Sequence, residues 1–107
     1  MSTVRVGIVG AGWIAREHRR VLESVADAEL AAVCDTDLGR AAALAEGTGA
    51  RVYGDWRELL EREDLGALFV CTPPLAHREP AVAALRSGLP VYLEKRSPGP
   101  ARTRLRS

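Results

Sequence analysis

The sequence is short of the features that mark secreted, membrane-spanning or metal-binding proteins. Its two cysteines, Cys34 and Cys71, each end an apolar run and have no CxxC partner, which is typical of buried thiols in a cytoplasmic protein. No window approaches the roughly 18 apolar residues of a membrane span, and the N-terminus lacks the pattern of a leader peptide. No spacing of Cys, His and Asp indicates a metal site. We therefore expect a soluble cytoplasmic protein.

Positive charge is also scarce where nucleic-acid binding would need it. Residues 1–95 carry ten arginines and one lysine against 14 acidic residues, a balance of −3 that leaves no basic surplus for nucleic acid. Residues 96–107 contain four arginines, no acid and no interleaved aromatic residue. We expect one domain over residues 1–95, followed by a disordered basic tail over residues 96–107.

What the sequence does contain is a regular alternation of apolar runs and helical stretches. Five short apolar runs predict strands, beginning with VRVGIVG at residues 4–10, and four helical stretches separate them. Short connections in this pattern require a parallel sheet with helices on both faces. The predicted fold class is therefore α/β, a doubly wound sheet with strand order 3-2-1-4-5. In this order Cys34 and Cys71 flank the first strand, too far apart for a disulfide.

Two of the predicted helices carry specific expectations. Apolar positions of the first helix recur at spacings of four, three and four residues: Ile14, His18, Val21 and Val25. This stripe predicts the buried face, with His18 as a packed core residue rather than a ligand or catalyst. After the fourth strand the turn Thr72-Pro73-Pro74 disfavours helix, so the next helix is expected to begin around His77, with Pro80 in its first turn.

The strongest motif is the turn after the first strand, which reads G-x-G-x-x-A over residues 10–15. Gly10 allows the tight turn, Gly12 lets the backbone approach a pyrophosphate, and Ala15 keeps the helix close to the sheet. The amides of Gly12, Trp13 and Ile14 then direct unpaired N–H groups toward phosphates. The motif predicts dinucleotide binding, with a tight strand–helix turn that holds no ligand as the alternative.

Asp35, at the end of the second strand, supports the dinucleotide interpretation. A carboxylate in this place accepts hydrogen bonds from the adenosine ribose. The alternative is that Asp35 only caps a helix or stabilises a turn, a role that Asp37 could serve equally well. Asp35 also favours NAD over NADP, because a carboxylate about 5 Å from a 2′-phosphate costs about 3 kcal/mol per unit charge at an effective dielectric constant near 20. Arg40 could offset this repulsion, but its place in an Ala-rich helix predicts a solvated side chain.

With these features and the segment CTPPLAHREPAVAALRSGLPVYLEK, residues 4–95 resemble the N-terminal NAD(P)-binding domain of the Gfo/Idh/MocA oxidoreductases. In that family the fourth strand ends in T-P-N or T-P-P, a histidine follows, and the fifth strand ends in E-K-P. The corresponding residues here are Thr72-Pro73-Pro74, His77 and Glu94-Lys95. Family members are mostly NAD(P)-dependent dehydrogenases and reductases of sugars, inositols and related polyols, so the resemblance implies hydride transfer to or from such a substrate.

The resemblance also implies roles for individual residues. Thr72 and Pro73 would line the cofactor cleft, and Glu94 would lie beside the nicotinamide ribose. Lys95, the only lysine in the chain, would be the catalytic residue that polarises the reacting oxygen, a task for which a lysine is better suited than an arginine. A surface lysine without a role is the alternative. His77 would lie near the cofactor or serve only the start of its helix.

The sequence departs from the family pattern in two ways. Arg96 stands where the family has proline after the lysine, and the family's second domain, which supplies the substrate pocket, is not found in the 107 residues. One hypothesis is a fragment whose reading frame was lost after Lys95, able to bind a dinucleotide but unable to complete the reaction. The alternative is a stand-alone dinucleotide-binding module that pairs with a separate chain. In either case we expect self-association through an exposed sheet edge and interdomain surface.

Overall fold

A computed structural model describes residues 3–72 and 74–93, with the backbone alone described for residues 74–77. The predicted domain boundary at residue 95 and the predicted tail lie outside these residues. The helices and strands alternate in the order β1 Val4–Val9, α1 Trp13–Glu23, β2 Ala28–Cys34, α2 Leu38–Ala45, β3 Arg51–Tyr53, α3 Trp56–Arg62, β4 Ala67–Val70, α4 Pro74–Arg86 and β5 Val91–Leu93. Across the described ranges, no helix combines the length and the apolar character needed to cross a membrane.

All five strands form one parallel sheet in the order β3-β2-β1-β4-β5, which confirms the predicted topology. β1 lies in the middle, between β2 and β4. The connection after β2 continues outward to β3, whereas the connection after β3 returns to the other side of β1. Such a reversal opens a crevice at the carboxyl ends of the central strands, where doubly wound proteins bind their ligands.

Helices cover both faces of the sheet. On one face α1 and α2 contribute Ala15 and Ala41 to a core that includes Ile8. On the other face α3 contributes Leu59, and α4 its alanines, to a core that includes Val9. Adjacent residues of β1 are therefore buried on opposite faces, which is why that strand reads as a continuous apolar run. Complete burial of a side chain such as that of Ile8 contributes about 1.5–3 kcal/mol.

The buried face of α1 differs from the predicted stripe. Ala15 is buried and Leu22 packs against the core, whereas Val21 is 60% exposed and Val25 is also exposed. His18 does pack, with its ring centroid 4.9 Å from that of Phe69. The spacing correctly grouped residues on one side of the helix, but α1 contacts β2 and α2 through a neighbouring side. The predicted stripe therefore lies beside the buried face of α1 rather than on it.

The helix after β4 begins earlier than predicted. It starts at Pro74 rather than around His77, and Pro80 lies inside the helix rather than in its first turn. A proline is well tolerated as the first helical residue, because the N–H that it lacks would have no partner there. Pro80 is fully buried, and Ala81 and Ala84 beside it belong to the core, so packing offsets the missing backbone hydrogen bond.

Candidate dinucleotide-binding site

The carboxyl ends of β1, β2 and β4 border a cleft of about 880 Å³. Six of the predicted site residues line it: Gly10, Gly12, Trp13, Ile14, Asp35 and Thr72. Among the remaining predicted site residues, Pro73, Glu94 and Lys95 lie outside the described residues. His77 belongs to the first turn of α4, but its side chain is not described. The structure thus places the glycine turn, the acid after β2 and the threonine after β4 around one opening.

The turn at Gly10 is tightly enclosed and requires glycine. Its φ is +99°, a backbone conformation that other residues rarely adopt. A Cβ atom at this position would lie 2.8 Å from the backbone carbon of Cys71 and 2.8 Å from the backbone nitrogen of Thr72. The Gly10 N–H donates to the carbonyl of Cys34 at 2.7 Å. The turn is therefore fixed against the segments that follow β2 and β4, the two walls of the cleft.

Gly12 lies in a contrasting environment. It precedes the first residue of α1 with an ordinary φ of −84°, and a Cβ atom there would meet nothing within 4 Å. Among the residues that the structure describes, no side chain caps this end of α1 and no acidic residue lies in its first turn. The amides of the first turn therefore face open space with a positive partial charge, an arrangement that suits a phosphate group.

Asp35 connects the glycine turn with the turn after β2. Its Oδ2 accepts a hydrogen bond from the Ala11 N–H at 2.8 Å, and its Oδ1 accepts one from the Asp37 N–H at 2.8 Å. Each carboxylate oxygen can accept a further hydrogen bond, so both remain available to hydroxyl groups in the cleft.

The neighbouring acid and arginine have different contacts. Asp37 caps α2 by accepting a hydrogen bond from the Arg40 N–H at 3.2 Å. The Arg40 side chain, which borders the cleft, is mostly exposed and lies 3.7 Å from Asp37. Of the two acids that follow β2, Asp35 lines the cleft, whereas Asp37 caps α2.

Thr72 contributes a buried hydroxyl to the wall of the cleft. Among the backbone groups and side chains that the structure describes, its Oγ1 has no hydrogen-bond partner. Buried hydroxyl groups are almost always hydrogen-bonded, so an isolated one beside an open cleft fits a ligand that brings the partner. Together with the open space above Gly12 and the Asp35 carboxylate, this hydroxyl makes the residues present compatible with a dinucleotide.

Cys34 lies in the wall of the cleft as a buried thiol. The thiol is free and buried. Burial, with smaller contributions from the carboxylates of Asp35 and Asp55, raises its pKa to about 12. The thiol therefore stays protonated at neutral pH and cannot act as a nucleophile. Neither cysteine forms a disulfide, and both flank β1 as predicted.

Sequence reasoning missed one wall of the cleft. It is formed by residues that follow β3 and by one residue of α4: Gly54, Asp55, Trp56, Arg57 and Glu79. Their position in the sequence could have indicated four of these residues, because residues 54–57 directly follow β3, a parallel strand next to β2. β3 has only three residues, so this signal is weak.

Comparison with known proteins agrees with this geometry. Residues 4–96 match the model of the Gfo/Idh/MocA family, described as an oxidoreductase family with an NAD-binding Rossmann fold. Inositol 2-dehydrogenase 3 of Saccharopolyspora erythraea is 39% identical over 94 residues, which cover 87% of this chain and 28% of that protein.

Two solved structures are similar to the described fold. The WlbA dehydrogenase of Chromobacterium violaceum, in complex with NADH and UDP-GlcNAcA, superposes with a TM-score of 0.84 at 33% identity, covering 89% of this chain and 28% of that one. The scyllo-inositol dehydrogenase of Lactobacillus casei, with bound NAD(H) and scyllo-inositol, gives a TM-score of 0.80 at 25% identity, covering 88% and 28%. The chain spans a little more than a quarter of the length of these relatives. The topology of the chain and the cleft at its switch point agree with the match to the family model. The chain therefore belongs to the Gfo/Idh/MocA oxidoreductase family, as an NAD-binding Rossmann domain.

Proposed function

We propose that this chain is the cofactor-binding part of an NAD-dependent oxidoreductase that acts on an inositol, a sugar or a related polyol. The observation that supports the proposal best is the convergence of three groups on one cleft. These are the start of α1, which no described side chain caps, the Asp35 carboxylate, and the Thr72 hydroxyl, which has no hydrogen-bond partner among the described groups. The substrate class is proposed from relatives that are named for inositols, of whose length this chain covers 28%.

Each part of the cleft has a proposed task. The amides of Gly12, Trp13 and Ile14 bind the pyrophosphate, and Asp35 accepts hydrogen bonds from the adenosine ribose. The Thr72 hydroxyl and Pro73 face the cofactor at the end of β4. When NAD is bound, its nicotinamide supplies the hydride acceptor or donor.

The catalytic assignments rest on the position of β5. This strand is parallel to β4, so its carboxyl end at Leu93 lies at the edge of the sheet that carries the cleft. Glu94 and Lys95 are the next residues of the chain. We propose that Lys95 polarises the reacting oxygen of the substrate, that Glu94 contacts the nicotinamide ribose, and that His77 lies near the cofactor.

Asp35 provides the test of the binding mode. Asp35→Ala removes a charged acceptor, so the affinity for NAD should fall by about 10-fold or more, and the preference for NAD over NADP should shrink. Calorimetric titration of the 107-residue chain with both cofactors measures the two effects. Asp37→Ala is the matched control, because it removes the cap of α2, costs about 1 kcal/mol of stability and should leave NAD affinity unchanged. Equal affinities for NAD in wild type and Asp35→Ala would contradict the proposed mode.

We also propose that the chain acts in the cytoplasm and associates through the open side of its sheet. Tyr92 on the edge strand β5 is 55% exposed, and its ring contacts Phe69, which contacts His18 on the flank of α1. An apolar edge of this kind favours pairing with another chain, whether a second copy or a partner that carries the substrate site. Light scattering of the wild-type chain should show a mass that rises with concentration, and Tyr92→Asp should reduce that rise. A wild-type chain that is monomeric at every concentration would exclude self-association.

A further inference from the structure

A cation–π pair forms part of the wall of the cleft beyond Asp35. The guanidinium carbon of Arg57 lies 4.5 Å from the centroid of the Trp56 ring, and both residues line the cleft. Two carboxylates lie beside the guanidinium, with Nη1 3.5 Å from Asp55 and Nη2 3.7 Å from Glu79. Asp55 belongs to the start of α3 and Glu79 to α4, so the guanidinium lies between two helices.

The position of this pair relative to the glycine turn follows from the sheet. β3 lies next to β2, and the Asp35 N–H donates to the carbonyl of Tyr53 at 3.1 Å. On its other side, Asp35 accepts the hydrogen bond from Ala11 in the glycine turn. A ligand that extends from the start of α1 across Asp35 therefore arrives beside Trp56 and Arg57.

The charges around Arg57 indicate what kind of group it receives. One guanidinium lies within 4 Å of two carboxylates, so this wall carries no surplus positive charge for a phosphate. What it does present is a planar guanidinium close to an indole ring, a surface that suits a flat aromatic heterocycle.

From these observations we infer that Trp56 and Arg57 form the stacking wall for the adenine base of the dinucleotide, and that Asp55 and Glu79 position Arg57. The inference rests on the proposed function. It assigns the base-binding contact to residues that follow β3, in addition to the glycine turn and Asp35.

Substitutions of Arg57 test the inference, because Trp56 also packs against the core and its removal would affect folding. AMP serves as a probe of the adenosine end, and NAD as the complete ligand. Arg57→Ala should weaken the binding of AMP and of NAD by a similar factor, about fivefold or more. Loss of a stacking contact with a base typically has an effect of about this size. Arg57→Lys should behave like Arg57→Ala, since it keeps the charge but loses the plane.

Arg62→Ala is the matched control. Arg62 lies on the same helix, its side chain is 65% exposed like that of Arg57, and it pairs with Glu58 away from the cleft. Its removal should leave both affinities unchanged.

Three outcomes would overturn the inference. The first is AMP binding that is equally tight in wild type and Arg57→Ala. The second is a loss of affinity in Arg57→Ala that Arg57→Lys restores in full, which would make Arg57 a contact to a phosphate. The third is a wild-type chain that binds neither AMP nor NAD. In that case the proposed function fails as well, whereas the first two outcomes leave it intact.

Discussion

Gly12→Val should abolish detectable NAD binding while leaving the domain folded. The added side chain would occupy the space in front of the first turn of α1, where the phosphates must approach the amides. The clash between the valine side chain and the pyrophosphate should weaken NAD binding by about 100-fold or more, which is equivalent to about 2.7 kcal/mol. Calorimetric titration of the variant with NAD measures the loss.

The fold should tolerate the change, which makes this substitution a test of binding alone. A Cβ atom on Gly12 meets no protein atom within 4 Å, and its φ of −84° is accessible to valine. We therefore expect the free energy of unfolding to fall by less than about 1 kcal/mol, the cost of a poorer residue at the start of a helix. Gly12→Ala should give an intermediate loss of affinity. Normal NAD binding by Gly12→Val would show that the pyrophosphate does not lie against α1.

The sequence was sufficient to predict the topology and several of the residues that line the cleft, for a geometric reason. Parallel strands all end at the same edge of a sheet, so residues that directly follow them converge whatever the details of packing. Gly10, Gly12, Asp35 and Thr72 each follow a strand at a fixed distance, and the structure brings them to one cleft.

The parts that sequence reasoning missed depend on orientation rather than spacing. Periodicity showed that Val21 and His18 share a side of α1, but not which side faces the sheet. The contribution of Arg57 depends on its rotamer over Trp56 and on Glu79, which is 22 residues away in the chain. Nothing in the local sequence distinguishes Arg57 from the equally exposed Arg62 in the same helix. Only the three-dimensional arrangement separates them.

Gly10→Ala is expected to act differently from Gly12→Val, because its main effect should be a loss of stability. The φ of +99° is strained for alanine, at a cost of about 1–2 kcal/mol. The Cβ atom would also press on the backbone between Cys71 and Thr72, which cannot move without disturbing β4. We expect a total loss of about 3 kcal/mol or more, and a melting temperature lower by more than about 10 °C.

Gly88→Ala separates the two causes. Gly88 has a comparable φ of +85°, but a Cβ atom there meets nothing within 4 Å, so alanine should cost only the backbone strain. The difference between the two variants in thermal unfolding therefore measures the contact between the glycine turn and the segment after β4. Equal losses of stability would mean that this contact relaxes at little cost. Because the same contact holds Thr72 beside the glycine turn, a large difference would establish that one steric constraint both stabilises the domain and shapes its cleft.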